Sequence, residues 1–204
     1  MVKRGRSCAA VRPEGALRAC LTTALSILVQ PSQGWGELQD QRDEGTGTLV
    51  LVLFLVIAPL TAGARTLGHV LLGWSWGGAL LDAGLHPPLL LLALSLLAWG
   101  LGLLARRRGV AVSADLALRI ALYSSTPLWL SGVLLLIPSL LMHTLAPFLG
   151  LLAMGHLFYF GLVRVLQLEA VEAIPLAASL FAGFTLVVLL LTQLAPLPLV
   201  LLLG

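Results

Sequence analysis

From Ile120 to Ile137 the chain carries no charge, and most of its polar residues gather in one knot, Tyr123-Ser124-Ser125-Thr126-Pro127. Eighteen residues of that kind limit the possible folds severely. A helix of this length is about 27 Å long, close to the thickness of a bilayer's hydrocarbon core. Backbone groups placed in lipid must find partners inside the segment or in neighbouring protein, so the segment has to be helical. Pro127 removes the helical donor to the Tyr123 carbonyl, which predicts a bend there. Ser124, Ser125 and Thr126 can satisfy the freed groups or bond to another span. Ser131 and Gly132 extend a small-residue face suited to close packing, and Pro138 closes the segment.

The rest of the chain repeats the theme. Its composition is 59% hydrophobic and 10% charged, with a mean hydropathy of +1.02. Such a chain cannot cover itself with polar surface, and the expected class is an all-α polytopic membrane protein. The net charge of +3 is too small to point to nucleic acid. Five spans are predicted, at about 49–73, 87–105, 116–138, 145–165 and 174–194, following a cytoplasmic segment 1–47. Pro87-Pro88 is read as opening the second span, Gly77 to His86 as a connection, and Ser139 to Thr144 as a tight turn.

Basic residues fix the orientation. With the N-terminus inside, Lys3, Arg4, Arg6, Arg12, Arg18, Arg42, Arg106, Arg107, Arg108, Arg119 and Arg164 lie on the cytoplasmic side, leaving only Arg65 of the 12 near the outside. That asymmetry is the positive-inside pattern. Removing one span would put Arg164 on the wrong side.

Before the first span, residues 16–30 read as an amphipathic helix, with Leu17, Leu21, Ala24, Leu25 and Leu28 on one face and Arg18, Thr22, Ser26 and Gln30 on another. Such a helix can lie in the membrane interface or cover the bundle's cytoplasmic end. A secretory signal peptide is the competing reading, opposed by those polar interruptions and by Pro31. Pro31 is expected to end the helix, and Trp35 to anchor at the interface. The two cysteines, Cys8 and Cys20, have neither metal-type spacing nor a disulfide framework.

Few residues suggest chemistry. Gly73-Trp74-Ser75-Trp76-Gly77 matches the G-x-S-x-G nucleophile elbow, with Asp82 and His86 downstream, but that motif needs a strand-to-helix turn at a sheet edge. Helix packing and interfacial anchoring account for these residues without catalysis. His69, His86 and His143 map to the outer side without metal-ligand spacing, so no metal, cofactor or catalytic residue is assigned. His156 falls mid-span beside Phe158, Tyr159 and Phe160 and should face the bundle interior. Counting from the turn at Ser139 to Thr144 puts Pro127 and His156 at similar depth, so His156 is expected to pack near the bend. Asp115 and Arg119 can pair on one helix face.

Three stretches resemble the Yip-domain family, membrane proteins first known as partners of Ypt/Rab GTPases. They are Ile27-Leu28-Val29-Gln30-Pro31 with Trp35, the run Ala121 to Pro127 continuing through Gly132 to Pro138, and His156-Leu157-Phe158-Tyr159-Phe160-Gly161-Leu162. The resemblance covers roughly residues 25–194 and is strongest to the family's bacterial type. It implies a five-helix membrane domain with a cytoplasmic N-terminus, and vesicle trafficking in eukaryotic relatives. A D-L-x-G-P-type motif before the first span is absent, since Gln39 to Thr48 reads Q-D-Q-R-D-E-G-T-G-T. That departure speaks against GTPase binding. The expected role is a non-enzymatic scaffold or adaptor whose partners are the lipid bilayer and other membrane proteins. The alternatives are a transporter component, with kinks at Pro59, Pro127 and Pro147 opening a cavity, and a hydrolase at Ser75.

Overall fold

The computed structural model describes residues 13–40 and 46–194. The expectations for residues 1–12, the charged linker around Arg42 and the tail after Leu194 lie outside them. All regular structure among the described residues is helical: α1 (Pro13–Val29), α2 (Pro31–Asp40), α3 (Thr46–Val52), α4 (Ala58–Leu71), α5 (Trp76–Arg107), α6 (Ala114–Ser124), α7 (Thr126–Leu134), α8 (Leu140–Val165) and α9 (Ala170–Leu194).

Four helical segments among the described residues are long and apolar enough to cross a membrane: Leu49–Leu71, Trp76–Arg107, Leu140–Val165 and Ala170–Leu190. Their outward faces are apolar, with Leu55 72%, Trp99 68% and Val171 81% exposed. Water would not tolerate so large a continuous apolar surface, whereas lipid requires it.

Proline shapes the first of these segments. Leu53–Ile57 is a π-helical stretch joining α3 to α4, and the Ala58 N–H bonds to the Leu53 carbonyl. Pro59 follows two residues later. Its ring would crowd the Leu55 carbonyl in a regular α-helix, and a widened turn relieves that crowding.

The stretch from Ala114 to Leu134 runs as two helices broken at Ser125. Helical hydrogen bonds reach the break from both sides, Ser125 N–H to Ala121 O at 3.1 Å and Trp129 N–H to Ser125 O at 3.1 Å. The α6–α7 pair is matched in length by the α3–α4 segment beside it. Thr46 bonds to Asp115 at one end, and Gly68 lies against the Leu135 carbonyl at the other. Gly132 packs on Thr61 between them.

Several element boundaries differ from expectation. The residues read as a connection, Gly77 to His86, are the first turns of α5, and Ser75 caps that helix. Pro87 and Pro88 therefore sit inside it. At 32 residues α5 is about 48 Å long, more than the ~30 Å hydrocarbon core. The tight turn lies at residues 135–139, because α8 already begins at Leu140.

Pro31 lies just past the end of α1 at Val29, as expected. It occupies the first position of α2, where a missing N–H costs nothing. On α1, Thr23 and Ile27 are buried, while Leu21, Leu25 and Val29 point outward. Trp35 is no interfacial anchor. It is completely buried, with its ring against Gly161, and Ile120 lies against the same glycine. Gly34 makes the α1–α2 hairpin possible, since a Cβ there would stand 2.5 Å from the Ile27 backbone nitrogen.

After α8 the chain reverses at Gln167, which has φ 54°. A left-handed residue just past a helix end is ordinarily glycine, because a Cβ crowds the following carbonyl. Gln167→Gly is therefore expected to stabilise the protein by about 1 kcal/mol, read as a raised melting temperature in detergent.

Candidate functional site

The break at Ser125 is built almost entirely from residues of the knot. Pro127 leaves the Tyr123 carbonyl without a main-chain donor, and the Thr126 hydroxyl donates to it at 2.8 Å. Ser125 Oγ donates to the Leu122 carbonyl at 2.7 Å and accepts from the Trp129 indole N–H at 3.1 Å. Ser131 Oγ donates to the Leu128 carbonyl at 2.7 Å. The hydroxyls thus repair the ladder from the same helix, as short Ser and Thr side chains can. Ser124 Oγ is buried without a hydrogen-bond partner.

His156 does not join this site. It is exposed on α8 and meets Phe160 edge-on, with ring centroids 4.9 Å apart. The buried stripe of α8 runs through Gly150, Met154, Leu157 and Gly161. His156 lies two residues from Met154, about 200° around the helix, so it faces the other way. The expected contact with the bend is absent, and the Thr126 hydroxyl supplies the donor that His156 was expected to bring. Gly161 packs against Trp35 and Ile120, Gly132 against Thr61, and Gly150 against Ser131 and Leu128. Pro138 lies within the turn after α7 rather than ending a helix.

A second polar group joins the end of α4 to the start of α5. Arg65 forms an ion pair with Asp82 through Nε, with Nη2 3.3 Å from the other carboxylate oxygen. His69 Nδ1 lies 3.4 Å from Asp82 but makes no hydrogen bond there. The His69 ring stacks on Trp74 at 4.3 Å and stands 5.2 Å from that of His143. His143 Nδ1 is 3.1 Å from the Ser139 carbonyl. His86 lines a cavity of about 20 Å³ with Thr61, Arg65 and Pro87, which has room for one water.

The Arg65–Asp82 pair was missed in the sequence, though a signal exists. These are the only charged residues between Glu44 and Arg106. Two lone opposite charges flanked by apolar spans are expected to meet, because each is expensive there alone. Among the described residues, no group of three His, Cys, Asp or Glu could hold a metal ion.

Ser75 has a structural task. Its hydroxyl accepts the Gly78 N–H at 3.2 Å and caps α5. At the opposite end of the bundle Ser113 does the same for α6, accepting the Leu116 N–H at 3.1 Å. Asp115 there accepts from the Thr46 hydroxyl and lies 3.5 Å from buried Arg119, the pairing expected from their spacing.

These features converge on a family already suggested by the motifs. The Yip1-domain profile matches residues 25–192, from within α1 to the last turn of α9. No curated protein and no solved structure matches the chain. With a match extending over most of its length and several apolar helices able to cross a membrane, the chain belongs to the Yip1-domain family of membrane proteins.

Proposed function

We propose that the protein is a non-enzymatic scaffold or adaptor of a bacterial cytoplasmic membrane, acting by helix packing with other membrane proteins or lipids. The observation that carries this reading is the use made of the polar side chains. Four hydroxyls are occupied with the protein's own backbone, Ser125, Thr126 and Ser131 at the α6–α7 break and Ser75 at the α5 cap, and the unpartnered Ser124 hydroxyl is fully buried. Meanwhile glycines hold the helices close, at Gly68, Gly132 and Gly150. Both features suit a body that presents shaped surfaces rather than a reacting centre. Isolation with native partners, followed by mass spectrometry of bound proteins and lipids, is the direct test. Recovery without any reproducible protein or lipid companion would count against the scaffold.

The scaffold has five spans in this reading, with α6 and α7 together forming the third. Support comes from the matched ends of α3–α4 and α6–α7, and from the one-sided distribution of basic residues. Reporter fusions at Arg108 and Gln167 are expected to report the cytoplasm, and one at Asp82 the outside. An external signal at Gln167 would refute five spans with the N-terminus inside.

Absence of catalysis is tested separately. Ser75→Ala is expected to leave cellular phenotypes unchanged and to cost about 1 kcal/mol of stability through the lost cap. Labelling by a fluorophosphonate probe that vanishes in this variant would overturn the non-enzymatic reading.

A further inference from the structure

We propose that the groove between α5 and α6 is a binding site for one anionic phospholipid. The groove has a volume of about 280 Å³ and runs along α5 from Ser95 through Ala98, Trp99 and Gly102 to Arg106, with Leu118 on the facing helix. From Ser95 to Arg106 it is about 16 Å long, roughly one leaflet of hydrocarbon.

Its two ends differ in chemistry. At one end Arg106 is exposed, and among the described residues its side chain has no ion-pair or hydrogen-bond partner. It belongs to the Arg106-Arg107-Arg108 cluster, in which Arg108 is already bonded to the Glu172 carbonyl at 3.0 Å. The nearest acid along α6, Asp115, is engaged by Thr46 and Arg119 and does not neutralise Arg106. A guanidinium with free donors beside a membrane helix end matches a phosphate diester in charge and geometry. The other end makes no polar demand, since Ser95 Oγ donates to the Leu91 carbonyl at 2.8 Å. Between the ends the floor is small: Ala98 is 6% exposed, and a Cβ on Gly102 would meet nothing within 4 Å. A slot of leaflet length with an apolar floor and one cation at its mouth fits an acyl chain attached to a phosphate.

The site deepens the lipid-binding side of the scaffold reading and rests on it only for the presence of a membrane. It can fail while partner recovery and span topology stand. The test is native mass spectrometry of the purified full chain in detergent, titrated with phosphatidylglycerol or phosphatidylcholine. One phosphatidylglycerol is expected to be retained in preference to phosphatidylcholine. Arg106→Gln is expected to weaken that binding about fivefold, as for one basic residue at a lipid surface, whereas Arg107→Gln leaves it within twofold. Gly102→Leu, which fills the groove without touching the charge, is expected to abolish retention at this site. Equal retention of the two lipids, equal loss in Arg106→Gln and Arg107→Gln, or unchanged binding in Gly102→Leu would each overturn the proposal. So would displacement of the lipid by millimolar inorganic phosphate, which would make this a site for the free anion.

Discussion

Trp35→Ala is expected to release the α1–α2 hairpin from the bundle, at a cost of about 3–5 kcal/mol. The indole is completely buried, and its ring edge meets Gly161. Removing it leaves a cavity that neither neighbour can fill: Gly161 has no side chain, and Ile120 is held on α6. Limited trypsin digestion in detergent should then cut at Arg18, while the fragment carrying the spans survives. Trp35→Phe separates volume from polarity. The Trp35 indole N–H has no partner, so exchanging it for a ring edge is expected to cost less than about 1.5 kcal/mol. Equal digestion of the Ala variant and the parent would show that the hairpin is held elsewhere.

Gly68→Ala is expected to destabilise the bundle by about 3 kcal/mol or more. A Cβ at this position would stand 1.8 Å from the Leu135 carbonyl oxygen and 3.1 Å from His143 Nε2. The first obstacle is backbone, so no rotamer change relieves it, and α4 must move away from the turn after α7. The displaced turn also carries the Ser139 carbonyl that faces His143 Nδ1. A lowered melting temperature and a broadened gel-filtration peak in detergent are the expected readouts. Gly63→Ala on the same helix is the control, since nothing lies within 4 Å of its added Cβ. There the helix gains about 0.5–1 kcal/mol from reduced backbone entropy. Similar behaviour of the two variants would mean that α4 and the turn do not approach so closely.

What was legible in the sequence follows from what lipid demands locally. Apolar length implied membrane helices, because backbone groups cannot be left unpaired in hydrocarbon. The break near Pro127 was legible because proline acts on its own helix. The Asp115–Arg119 pair is likewise local, one helical turn apart. Five spans were read from the same stretches; four helical segments among the described residues are long and apolar enough to cross a membrane, and the remaining stretch is divided at Ser125.

Facing was not legible. In a soluble helix, polar residues mark the outside, but lipid and protein core are both apolar, so the alternation disappears. Trp99 is 68% exposed and Trp35 is fully buried, and nothing local distinguishes them. His156 was expected inward because it is polar, yet the inward stripe of α8 is set by where Gly150 and Gly161 let neighbouring chains approach. Arg65 and Asp82 meet only because α4 and α5 fold back on each other across 17 residues of chain. The sequence by itself determined that these segments enter a membrane as helices and where one of them breaks. The tertiary structure alone decided which side of each helix faces protein and which faces lipid, because that choice depends on the shapes of neighbours distant in the chain.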